Sequence, residues 1–220
     1  MRMRKKKHLD SRLDACRSLL CEKPQEPVLS SVLHFGKESP LHLEIGCGKG
    51  GFACGMAEKH PDICFYAMER IPNVITNAVE KAIAEEEKRP TDNLRFIIGN
   101  AETLLEWFAP HSIDMLYLNF SDPWPKERHA KRRLTHRRFL SLYFEILNPR
   151  GEIILKTDNV NLFAFTLEEL EALHITPSVV THDLHHSPYA ADNVMTEYER
   201  NFSEKGFPIH LVRFSSPLCQ

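Results

Sequence analysis

The chain has 220 residues, 42% hydrophobic and 26% charged, which suits one globular domain with a buried core and excludes disorder as its overall state. No run of 18 consecutive apolar residues occurs and no apolar stretch follows the basic start, so neither a membrane-spanning helix nor a secretory leader is expected, and a cytoplasmic setting is the default. The net charge of −2 hides an uneven layout: residues 1–7 carry five Lys/Arg and no acid, and residues 126–138 carry seven Lys/Arg and one acid, so the rest is strongly acidic.

Residues 1–38 read as a basic arm and an irregular lead-in broken by Pro24 and Pro27, with one α/β domain over 39–220. A strand at 41–45 runs into glycine-rich punctuation and a helix at 51–60. A strand at 63–69 and a helix at 72–88 follow, with Pro72 in the first turn, where its missing N–H costs little. Then come a strand at 94–98, a helix at 101–109, a strand at 113–119, a helix at 135–147, a strand at 152–156 and a helix at 160–173. Five strand–helix alternations predict a mostly parallel sheet with helices on both faces. Two further extended stretches, 178–181 and 209–214, are separated by a polar insertion, 182–207. They bring the expected sheet to seven strands, the last antiparallel, and a connection of that length is often functional. The six cysteines, at 16, 21, 47, 54, 64 and 219, form no Cys-x-x-Cys pair, so reduced thiols are expected rather than a zinc site.

Four features at strand ends carry chemistry. The turn Glu44-Ile-Gly46-Cys-Gly48-Lys-Gly50-Gly51 satisfies both the G-x-G-x-x-G dinucleotide pattern and the G-x-G-x-G pattern of adenosylmethionine sites. A carboxylate at Glu44 would repel a pyrophosphate but suits a ligand with a cationic amino-acid end and a sulfonium, although Lys49 could instead serve a phosphate. Glu69 closes the next strand, where a carboxylate can accept ribose hydroxyls. Asn100 follows the third strand, and there it can either bond an adenine amino group or cap the helix behind it. After the fourth strand, Asn119-Phe-Ser-Asp122-Pro-Trp124-Pro-Lys126 sets an acid beside an aromatic plate, an arrangement fit for a purine. The basic run begins at once, and its composition favours positioning RNA through phosphates over reading bases.

The string from Asn119 to Leu134 resembles the signature of bacterial single-subunit tRNA (guanine-N7)-methyltransferases, and Leu43 to Gly50, Lys156 to Asn159 and Thr196 to Glu199 match further segments. The resemblance covers about 41 to 214. It implies a Rossmann-like class I methyltransferase fold over 39–220, S-adenosylmethionine as methyl donor, and tRNA as partner, with the guanine at tRNA position 46 in the variable loop as target. It further implies that Glu44, Gly46, Gly48, Glu69, Asn100 and Asp122 hold the cofactor, with Asp122 also at the catalytic position. Lys126, Asp158, Thr196, Glu197, Tyr198 and Glu199 would contact substrate, and Arg128, His129, Lys131, Arg132 and Arg133 the RNA. No metal and no obligatory protein partner is expected. A nicotinamide-dependent oxidoreductase would share the glycine turn but leaves Asp122-Pro-Trp-Pro and the basic run unexplained. A plain RNA-binding module explains the basic runs but not Glu44 and Glu69.

Overall fold

The computed structural model describes residues 8–86 and 91–217. The basic arm at 1–7 and Cys219 lie outside them, as do residues 87 and 88; the helix expected to reach 88 ends at Ala84. In chain order the elements are α1 (Leu9–Ala15), β1 (Leu20–Cys21), α2 (Val32–Phe35), β2 (Leu41–Ile45), α3 (Gly51–Lys59), β3 (Cys64–Glu69), α4 (Pro72–Ala84), β4 (Leu94–Ile98), α5 (Leu104–Trp107), β5 (Ile113–Asn119), α6 (Arg137–Ile146), β6 (Leu147–Thr157), α7 (Val160–Ala172), β7 (Val179–Thr181), α8 (Glu197–Ser203) and β8 (His210–Ser215).

The strands form one sheet in the order β1-β4-β3-β2-β5-β6-β8-β7, parallel except for β8, which is antiparallel to both neighbours. The expected last antiparallel strand is therefore present, but the sheet has eight strands, not seven. The additional one is β1, whose two residues pair with Phe96 and Ile97 of β4. A pair that short carries no periodicity to read. The lead-in also touches the body elsewhere: Arg12 of α1 holds Glu80 of α4 through a two-pronged bond at 2.6 and 2.5 Å.

Alternation along the strands builds the two faces. Leu41, Leu43 and Ile45 of β2 join Tyr66, Met68, Phe139, Tyr143 and Phe163 in one apolar layer, under α5 to α7. Phe65 and Ala67 of β3 join Phe52, Met56, Ile75, Val79 and Phe96 in the other, under α3 and α4. β2 and β3 are buried along their whole length, the mark of parallel strands covered on both faces.

Two consequences of this topology position the site. The chain winds from β2 outward through β3 and β4, then returns to the other side of β2 to lay down β5 and β6, so the winding reverses between β2 and β5. A crevice opens there at the carboxyl ends of the strands. In addition, β7 ends at that same edge and β8 starts there, with His210 opposite Thr157. The connection 182–209 must therefore cross the edge on which the crevice lies.

Candidate active site

The floor of the crevice is Glu44, which is 3% exposed. Its Oε1 accepts from Asn119 Nδ2 of the neighbouring β5 at 2.8 Å. Its Oε2 is buried and has no hydrogen-bond partner among the described residues. Burial pushes this carboxyl up to about 7, against the opposing pulls of the Asn119 bond and the Lys156 charge. A buried acid with an unused oxygen is costly to keep unless something cationic completes it.

Behind Glu44 the chain turns through Gly46 and Gly48, at φ +81° and +55°, a region that L side chains rarely adopt. A Cβ on either would meet nothing within 4 Å, so both backbones face open space. Gly50 differs: a Cβ there would come within 3.0 Å of Ala78 and 3.1 Å of Phe96, so its smallness serves packing of the turn against α4 and β4. Glu69, ending β3, accepts from Gly48 N at 3.2 Å and Ile71 N at 3.0 Å, tying the turn to the next strand. Asn100 takes the capping role and also lies on the cleft wall. Its Oδ1 caps the 3-10 turn at Ala101–Thr103 through Glu102 N at 2.7 Å.

A cleft of about 550 Å³ is lined by Gly46, Glu69, Asn100, Asp122, Trp124 and Arg132, among others. Past Gly46 and Phe120 it meets a second hollow of about 300 Å³ bounded by Glu44, Gly48, Thr196, Glu197 and Tyr198. The donor set fits S-adenosylmethionine: an orphaned buried carboxylate oxygen at one end, an acid at a strand tip, and two glycine backbones left open between them. Among the described residues no group of three or more His, Cys, Asp or Glu could hold a metal ion.

The turn after β5 is held in strain. Phe120 and Trp124 take positive φ, 51° and 42°, on either side of Asp122. Arg133 donates Nε to Pro123 O and Nη2 to Trp124 O, both at 3.1 Å, and its guanidinium lies 4.3 Å from the Phe165 ring centroid. Arg133, expected among the RNA contacts, thus also braces the turn with two of its donors. Asp122 itself is 71% exposed, with Arg70 at 3.8 Å. Arg132 stacks on Trp124 at 4.9 Å, and the His129 ring meets Trp124 edge-on at 5.8 Å. Lys126, Arg128 and Lys131 stand exposed beside them. Of the seven positive charges in 126–138, Arg137 and Arg138 are paired with Glu169 and Glu102.

The late connection forms the opposite wall. Thr196 and Glu199 make a reciprocal capping box on α8, Thr196 Oγ1 accepting from Glu199 N at 2.8 Å. Glu197 pairs with Lys81 at 2.9 Å and Lys49 at 3.4 Å, so Lys49 faces an acid of its own chain rather than a phosphate. Tyr198 is exposed, packs on Phe120 at 5.0 Å, and reaches Asp158 at 3.5 Å. The cap on α7 is the neighbouring Asn159. Glu199, expected among the substrate contacts, is fully buried and has internal partners, with Lys156 at 2.8 Å, His185 at 2.8 Å and Asn193 at 2.6 Å.

Residues 38–212 match the profile of a family described as "Putative methyltransferase". A tRNA (guanine-N(7)-)-methyltransferase of Brevibacillus brevis is 50% identical over 181 residues, 82% of this chain and 83% of that one. Its counterpart from Limosilactobacillus reuteri is 44% identical over 210 residues, 96% of this chain and 97% of that one. The chain belongs to the tRNA (guanine-N(7)-)-methyltransferase family. A solved 16S rRNA methyltransferase, KamB, shares the fold at a TM-score of 0.63 with 14% identity, covering 86% of this chain and 95% of that one.

In this family member, two residues that build the site were given no role by sequence reasoning: Asn119 orients Glu44 and Lys156 holds the late wall. Two signals were available. A lysine inside an apolar strand needs a buried partner, and Thr196-x-x-Glu199 is the capping-box spacing.

Proposed function

We propose that the chain transfers a methyl group from S-adenosylmethionine to N7 of the guanine at position 46 in the variable loop of tRNA, in the bacterial cytoplasm, with no metal and no obligatory protein partner. What carries the reading is one juxtaposition: a cleft floored by an acid with an unused oxygen opens onto an exposed acid and aromatic plate, and a cluster of free basic side chains stands beside them.

When bound, S-adenosylmethionine supplies a methyl carbon activated by a sulfonium. Glu44 holds the cationic amino-acid end, Gly46 and Gly48 let it approach, Glu69 accepts from the ribose, and Asn100 faces the adenine. Guanine N7 has an in-plane lone pair and no proton, so no side chain has to remove one. Asp122 accepts from N1–H and N2–H, orients the base and offsets the positive charge that the ring acquires. Trp124 offers a stacking face. Asp158, Thr196, Glu197 and Tyr198 complete the substrate wall, and Lys126, Arg128, His129, Lys131 and Arg132 hold phosphates. A guanine held in tertiary pairing has to leave its stack first, which costs a few kcal/mol. Incubation with methyl-labelled cofactor and a tRNA transcript, followed by nucleoside analysis, tests the reading. Label in 7-methylguanosine is expected, with none when guanine 46 is replaced; label elsewhere or none at all overturns it.

A further inference from the structure

Lys156, the last residue but one of β6, is an inward-facing cation whose side chain is 3% exposed. It donates to Glu199 Oε2 at 2.8 Å, Asn193 Oδ1 at 3.0 Å and Val194 O at 2.9 Å, and sits 4.8 Å from the Phe52 ring centroid. Its three donors meet three acceptors, all on the late connection. Glu199 in turn gathers His185 and Asn193 as well as Thr196 N at 3.3 Å. One side chain on the sheet thus fixes five positions of a connection with little regular structure. The seat is tight elsewhere: a Cβ on Gly55 of α3 would come within 2.7 Å of Val194, and Lys59 donates to Asp192 O at 2.9 Å.

We infer that Lys156 is a positioning residue for the methyl-transfer reaction, setting the register of the α8 wall so that Thr196, Glu197 and Tyr198 close the hollow beside Glu44. This rests on the function proposed above. Burial alone does not explain the choice of lysine, because an apolar pair of similar volume commonly holds two segments together as well or better than a buried ion pair. What an apolar pair lacks is direction. Three bonds from one fixed point set where each of three late residues sits, and the hollow is bounded by residues that follow directly. The ammonium also contributes to the field at Glu44.

The test separates holding from placing. In full-length protein, Lys156→Met combined with Glu199→Leu removes both charges together and restores an apolar contact. Thermal melting is expected to stay near wild type, whereas kcat/KM for tRNA falls about 100-fold, the scale of a misplaced reactive geometry. Affinity for S-adenosylmethionine, measured by titration without tRNA, is expected to weaken about tenfold through the displaced wall, an effect of 1.4 kcal/mol scale that melting does not report. A stable double variant with kcat/KM and cofactor affinity both within threefold of wild type overturns the inference. If the double variant does not fold, Glu199→Gln serves, since Lys156 keeps its bonds to Asn193 and Val194. It is expected to exceed Lys156→Met in kcat/KM by at least about tenfold; equal losses in the two overturn the inference. Wild-type protein that labels no tRNA would count against the proposed function instead, and the cofactor titrations would still decide the role of Lys156.

Discussion

The floor of the cleft and its late wall each bury a glutamate, and the two are completed in opposite ways. Glu44 keeps one oxygen without a hydrogen-bond partner among the described residues, and burial drives its carboxyl up to about 7. Glu199 is buried to the same degree, yet Lys156, His185 and Asn193 surround it and hold its carboxyl below the ordinary range despite burial. The same side chain thus carries an unsatisfied oxygen in one region and a full set of internal partners in the other. Sequence alone gave both acids the role of ligand contact; what separates them is whether the fold has already supplied the cation.

That contrast makes opposite demands on two isosteric substitutions. Glu199→Gln strips the charge that neutralises Lys156, and breaking a buried pair in this way is expected to cost about 3–5 kcal/mol, read as a fall in the denaturant midpoint. Asp122→Asn, at an exposed acid outside either network, is expected to leave melting unchanged and to lower turnover with tRNA by about 100- to 1,000-fold, the scale of one lost transition-state contact. Glu44→Gln is expected to do the reverse of Glu199→Gln, raising stability at pH 8 by about 1–3 kcal/mol while weakening cofactor binding. The sign follows from the raised carboxyl: the folded chain binds the proton more tightly than the unfolded one, so wild-type stability falls as pH rises from about 4.5 through about 7, and the glutamine variant lacks that decline. The smallest effect is expected at Arg132→Ala, where binding of tRNA weakens and the slope of log affinity against log salt shrinks by roughly one. A similar loss of salt slope in Arg133→Ala, whose donors face Pro123 and Trp124, would place it among the RNA contacts as well.

The parallel sheet was legible because its strands alternate with amphipathic helices, and the crevice because glycines and acids stand at strand ends. β1 was not, since two residues have no period. Glu44, Glu69 and Asp122 could be located by their place at the tips of β2, β3 and beyond β5. The inward contacts of Glu199 and Arg133 could not, because Glu199 depends on partners 6 to 43 residues away and Arg133 on the carbonyls of a strained turn. Charge type is written in the sequence; whether a charge is already answered is written only in the packing.

The pH dependence of S-adenosylmethionine binding tests the unanswered charge at Glu44 most directly. Titrated by calorimetry without tRNA, wild-type affinity is expected to strengthen about tenfold between pH 6 and pH 8, as a single carboxyl near 7 ionises to meet the ligand's cation, and the Glu44→Gln profile is expected to be flat. A wild-type profile as flat as that of the variant would contradict the account.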